Sequence, residues 1–160
     1  MTNVAKIIGI DISKYKHDCF IATETGEAIH NSFSFENNSD GFTHFLSILN
    51  SLDTNQEKRI GMESTGHYGN NLMRFLDEHN FSFMVFNPYL TEKFRQACSL
   101  RKTKTDKIDA RIISQMLVSR DYITYSSKSY HISSLKSLTR FRFRLIEART
   151  KLKVRVQNIL

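Results

Sequence analysis

The chain has 160 residues, 40% of them hydrophobic, and a formal net charge of +7. That is enough apolar material for one domain with a core, and too much for a disordered chain. No apolar run approaches the roughly 18 residues of a membrane span, and no signal-peptide pattern opens the chain. The two cysteines, Cys19 and Cys98, form no CxxC pair, so a reduced, intracellular protein with no membrane partner is expected. The charge is divided unevenly: residues 1–100 hold 8 Lys+Arg against 12 Asp+Glu, and residues 101–160 hold 15 against 4. A positive field concentrated in one part of a chain fits nucleic acid better than an anionic membrane surface.

The first element is "VAKIIGIDI" (4–12), short, apolar and β-branched, which predicts a buried strand. Residues 15–23 predict a second strand, and "TETGEA" (23–28) a turn with Gly26 at its tip. A third strand over 28–35 completes an antiparallel meander. Asn38, Ser39 and Asp40 offer N-caps to a helix whose stripe is Phe42, Phe45, Leu46 and Leu49. "KRIGME" (58–63) predicts a strand, and Ser64 to Gly66 a turn. A helix with Leu72, Phe75 and Leu76 inward follows from near residue 67, with Ser64 and Thr65 as its caps. "FSFMVF" (81–86) is another strand, and Pro88, the only proline, marks its exit. Helices are predicted over 90–98 and 106–120, the second burying Ile108, Ile112, Ile113, Met116 and Leu117.

From about residue 131 the pattern changes. Leu135, Leu138, Arg142, Leu145, Arg149, Leu152, Val156 and Ile159 recur at spacings of 3 and 4, with no Gly or Pro from 131 to 160. This predicts a long helix, either the start of a coiled coil or a helix packed on its own domain. Residues 128–155 carry nine Lys+Arg and one acid, Glu147, and Phe141 and Phe143 alternate with Arg140, Arg142 and Arg144. Basic groups track phosphates and aromatics stack on unpaired bases, so contacts to backbone and shape are expected here. The chain stops at Leu160 without a helix-ending signal, which predicts a further domain downstream.

Four acids stand out. Asp11 closes the first apolar strand and Glu63 closes "KRIGME". Asp106 and Asp109 lie three apart at a helix start, so they share one face. A lone Asp-x-x-Asp is ordinarily an acidic first turn that favours the helix dipole. Acids ending buried strands are costly unless a cation balances them. Mg²⁺ takes hard oxygen ligands, and a pair of such ions can clamp a phosphodiester.

The order of elements and acids resembles the RuvC version of the RNase H-like fold: an α/β mixed sheet, first three strands antiparallel, flanked by helices. The blocks "GIDISK" (9–14), "ESTGHYG" (63–69), "NPY" (87–89) and "KTDKIDA" (104–110) resemble the signature of the DEDD transposases of insertion-sequence family one-hundred-and-ten, relatives of the Piv invertase. The resemblance implies a RuvC-like domain over 1–125, a basic helix beginning a coiled coil over 130–160, and a catalytic-serine domain beyond this chain. It implies Mg²⁺, with Mn²⁺ able to substitute, held by Asp11, Glu63, Asp106 and Asp109 for DNA strand cleavage and rejoining. It also implies guidance by a bridge RNA, a homo-oligomer (dimer or tetramer) formed through the C-terminal helix, a bacterial cytoplasmic setting near the nucleoid, and a fragment inactive alone. Lys14, Arg101, Lys104, Arg140, Arg142, Arg144, Lys151 and Lys153 are the candidate nucleic-acid contacts. Two other readings stand beside this one: a Holliday-junction resolvase of the same fold, and a non-catalytic nucleic-acid-binding module. Ser64 with His67 as a nucleophile pair is disfavoured, since no oxyanion-hole pattern accompanies it. Tyr68 is read as either an approach to DNA or a packing residue, with packing favoured, and His17, His30, His44, His79 and His131 as ordinary surface or core residues.

Overall fold

A computed structural model describes residues 5–52, 56–63, 66–98, 106–119 and 127–159; at 106–108, 127–131 and 133 it describes the backbone alone. The chain divides into two units, residues 1–125 and 126–160.

The first unit is built on one mixed sheet. Its strands are β1 (Lys6–Ile12), β2 (Lys16–Thr23), β3 (Ala28–Glu36), β4 (Lys58–Glu63) and β5 (Phe83–Phe86), in the order β3-β2-β1-β4-β5. β1–β2 and β2–β3 pair antiparallel, whereas β1–β4 and β4–β5 pair parallel. The meander is thus extended on one side by two crossover strands. Central β1 is buried on both faces, with Ile7, Ile8 and Ile10 fully inside, which is why its sequence reads as a near-continuous apolar run.

Alternation along the strands sends side chains to two different layers. On one face Ile8, Ile10, Cys19, Ile21, Ile60 and Met62 pack with Phe42, Phe45 and Leu49 of α1 (Ser39–Ser51) and with Leu72 and Leu76 of α2 (Asn70–Glu78). Asn38 caps α1, its side chain accepting from the Gly41 N–H at 2.8 Å. α2 begins at Asn70, after a turn over 66–69, and lacks a side-chain cap at Gly69. The proposed caps Ser64 and Thr65 lie outside the described residues.

On the other face Ile7 and Phe86 pack with Ile112, Ile113, Met116 and Leu117 of α4 (Asp106–Ser119), with Phe94 of α3 (Pro88–Cys98) alongside. Pro88 opens α3 rather than merely ending the strand. It sits where a helix needs no N–H, and the Asn87 side chain accepts from the Tyr89 N–H at 2.9 Å.

Two glycines admit α4 to the sheet. A Cβ on Gly9 would lie 2.2 Å from the Ala110 carbonyl oxygen, and one on Gly61 would lie 2.8 Å from the Leu117 side chain. Gly9 and Gly61 are paired neighbours on β1 and β4, so α4 crosses the sheet over a patch that has no side chains.

The second unit holds α5 (Ser127–Gln157), which begins four residues before the position expected from the sequence. At 31 residues it is about 46 Å long. The side chains of Leu135, Leu138, Leu145, Leu152 and Val156 are all exposed along it, as is Ile159 just beyond its end.

Candidate active site

The acids are positioned by strand parity and by the direction of α4. Asp11 is two residues beyond Gly9 on β1, so both project to the α4 face, and Glu63 stands likewise two beyond Gly61 on β4. Each is therefore carried about 7 Å past the glycine patch toward the carboxyl ends of the strands. α4 runs the opposite way. Its Ala110 packs with Phe20 and Ala22 over Gly9. Farther along, Gln115 and Val118 line a small cavity with Ile7, Thr23 and Gly26 at the other end of β1. The first turn of α4 accordingly overhangs the carboxyl end of β1, and position 106 precedes Ala110 by about 6 Å.

Asp11, Glu63 and Asp109 thus share one face and one edge of the sheet. The side chain of Asp106 lies outside those described, as do Arg101 and Lys104. Asp11, Glu63 and Asp109 are half-buried. The Arg95 guanidinium of α3 donates to Asp109 Oδ1 at 3.1 Å and also pairs with Glu92. Among the described residues, no three His, Cys, Asp or Glu side chains converge tightly enough to hold an ion.

One acid was missed from the sequence. Asp18 on β2 is directly opposite Asp11 in the hairpin register and is 2% exposed. Its Oδ1 accepts from Ser34 Oγ at 2.6 Å, and Lys16 Nζ stands 3.6 Å from its Oδ2. The signal was available in the hairpin, because pairing strands across the 13–15 turn sets Asp18 beside Asp11. It was overlooked because Asp18 sits mid-strand, where an acid reads as a solvent-facing position.

The loops that follow the acid-bearing strands are tied together by Asn37. Its backbone N–H donates to the Tyr15 carbonyl at 2.9 Å, and its Nδ2 donates to the Lys14 carbonyl at 3.2 Å and the Tyr68 carbonyl at 3.1 Å. Ser13 Oγ donates to the Lys16 carbonyl, closing the β1–β2 turn. Lys14, a predicted phosphate contact, lies over the Tyr15 ring, its Nζ 4.8 Å from the centroid. Tyr68 is 37% exposed and packs its ring beside that of His67, with centroids 4.5 Å apart.

His17 belongs to the opposite face. It is wholly buried, stacks on Phe42, and receives the Ser13 N–H at Nδ1 over 3.4 Å. Burial lowers its pKa to about 4, against smaller opposing effects of the Asn37 side chain and the Asp18 charge. Burial, with the Asp18 charge second, raises the Cys19 thiol well above its usual range, so it is an inert core thiol.

In the second unit Arg140, Arg142, Arg144, Lys151 and Lys153 are all exposed on α5, with Phe141 and Phe143 between them. No helix among the described residues is long and apolar enough to cross a membrane.

The family model described as "Transposase", for the DEDD transposases of insertion-sequence family one-hundred-and-ten, matches residues 8–160. The chain belongs to this family. Its match covers the acid-bearing ends of β1 and β4, α4 and all of α5 alike, so the transposase assignment rests on both units. No curated protein matches the sequence. Among solved structures, the chain is similar to a crystal structure of the Aquifex aeolicus member of the Ppx/GppA protein family. Sequence identity is 14% and the TM-score 0.36, over 57% of this chain and 38% of that one. A likeness of that size carries no argument about function, and the chain spans well under half of that protein.

Proposed function

We propose that this transposase-family chain is a RuvC-type, RNase H-like domain joined to a basic helix, which cuts and rejoins DNA with the help of divalent cations. The observation that carries the reading is the placement of Asp11 and Glu63 at the carboxyl edge of neighbouring parallel strands, beneath the first turn of a helix that begins Asp106-x-x-Asp109. The sheet order β3-β2-β1-β4-β5 supports the fold reading. The donor set fits Mg²⁺ or Mn²⁺: it consists of carboxylates alone, with no thiolate or imidazole among the four residues.

In this reading the four carboxylates hold the cation, which, when bound, supplies positive charge against the scissile phosphate. Asp18, beside Asp11 and held by Ser34 and Lys16, adds a further carboxylate to this edge. Lys14, at the same edge, contacts the phosphate backbone, as would Arg101 and Lys104. Arg95 holds Asp109 in the cation-free protein and releases it on loading. The exposed arginines and lysines of α5 bind nucleic acid, including the bridge RNA that the resemblance implies. The apolar stripe of α5 joins copies of the chain.

A second reading is a module of the same fold that binds nucleic acid without cutting. It is favoured by the Arg95–Asp109 ion pair. Titration calorimetry with Mn²⁺ decides between the two. The transposase reading expects heat from the native chain and its loss in Asp11→Ala and Glu63→Gln. Equal heats in native and Asp11→Ala protein would remove the metal site.

A further inference from the structure

Among the described residues of the first unit, aromatic side chains are sorted by chemistry. Every phenylalanine is buried or half-buried. Every described tyrosine is exposed: Tyr15 at 74%, Tyr68 at 37% and Tyr89 at 66%. Tyrosine tolerates exposure because its hydroxyl stays in water, but that alone would scatter the rings over the surface. Instead all three follow the carboxyl ends of parallel strands. Tyr15 comes after β1, Tyr68 after β4 and Tyr89 after β5, and these three strands are consecutive neighbours in the sheet. With strands about 4.8 Å apart, the three strand ends that the tyrosines follow span about 10 Å. Asn37 holds the Tyr15 and Tyr68 loops within one amide's reach of each other. Two rings carry an ammonium: Lys14 Nζ is 4.8 Å from the Tyr15 centroid and Lys93 Nζ is 5.7 Å from that of Tyr89.

We propose that Tyr15, Tyr68 and Tyr89, with Lys14 and Lys93, form a stacking row for the unpaired bases of a single nucleic-acid strand laid across the carboxyl edge of β1, β4 and β5. Stacking on an aromatic ring is open to any base, because each has a π face. A lysine beside each outer ring meets the phosphate of the stacked nucleotide. The row lies at the edge that bears Asp11 and Glu63, so it would hold a melted strand beside the acids. In that respect the inference rests on the reading of this edge as the cutting site. A duplex, whose bases are already stacked, finds no use for the rings.

The test titrates the 160-residue protein, in EDTA, into a labelled single strand containing 2-aminopurine, prepared both as DNA and as RNA of one sequence, with a duplex alongside. The native protein quenches 2-aminopurine emission on binding. Tyr15→Ala/Tyr89→Ala weakens single-strand binding about a hundredfold, at about tenfold per ring, and removes the quenching. It leaves the duplex affinity and the salt slope, which report on the basic groups, unchanged. Tyr15→Phe/Tyr89→Phe restores both affinity and quenching, since the ring and not the hydroxyl does the stacking. The DNA and RNA arms tell which strand the row prefers. Unchanged affinity and quenching in the alanine variant, or equal loss in the phenylalanine variant, overturns the proposal. Mn²⁺ heats of the tyrosine variants are read separately: stacking without heat keeps the row and removes the metal site, and heat without stacking does the reverse.

Discussion

Replacing Gly9 by alanine tests whether the approach of α4 builds the site. The added Cβ would lie 2.2 Å from the Ala110 carbonyl oxygen and 2.6 Å from the Ser114 nitrogen, both backbone atoms, where ordinary contact begins near 3.4 Å. No side-chain rotation relieves such a clash, so α4 must lift by roughly 1 Å, which loosens the packing of Ile113, Met116 and Leu117 against the sheet. Overpacking of this kind costs about 1–3 kcal/mol. A loss near 2 kcal/mol moves the urea midpoint down by about 1 M. The shift also displaces Asp109 from Asp11 and Glu63 by far more than the roughly 0.2 Å that cation ligands tolerate. Gly9→Ala protein that is still folded by circular dichroism is thus expected to give no Mn²⁺ heat. A variant with the native midpoint would refute the claim that the glycine patch seats the helix. A variant with a lowered midpoint but native Mn²⁺ heat would refute the claim that this seating positions the acids.

Three further outcomes are expected. His17 has its folded pKa lowered to about 4, so between pH 6.5 and 4 the unfolded chain binds more protons. Stability is then full above pH 6.5 and falls by about 3 kcal/mol on reaching pH 4, and urea midpoints of native and His17→Phe protein across that range should show the variant losing less. Arg95→Ala frees Asp109 from its guanidinium and should tighten Mn²⁺ binding about tenfold, an interaction with a charged group being worth roughly 1.5–3 kcal/mol; weaker binding would mean that Arg95 instead orients Asp109 for the cation. Exchanging Arg140, Arg142 and Arg144 for glutamine should lower the salt slope of nucleic-acid binding by about 3, near 0.9 per lost phosphate contact, as read by filter binding over a salt series.

The strands and helices were legible in the sequence because each has a strong local pattern. The buried run of β1 and the capped stripe of α1 stand where their periodicity puts them, and α5 is a single helix as its unbroken pattern requires. Element ends were less legible. α2 starts at Asn70 because the turn over 66–69 takes up the chain first, and α3 starts earlier than expected because Pro88 serves as its first residue. Asp11 and Glu63 were recognisable because an acid at the close of an apolar strand breaks a local rule.

Other features belong to the tertiary structure alone, because they depend on residues distant in sequence meeting at short range. The facing of Asp11 and Asp18 follows from hairpin register. The capture of Asp109 by Arg95 needs α3 and α4 to pack side by side. The gathering of three tyrosines at one edge follows from strand order, which places β4 and β5 beside β1 although long stretches of chain separate them. Local composition determined which segments are strand, helix and basic arm, and which acids are anomalous. Strand order and the bare glycine patch under α4 decided which of those residues become neighbours, since side-chain parity and helix direction act only once the sheet is assembled.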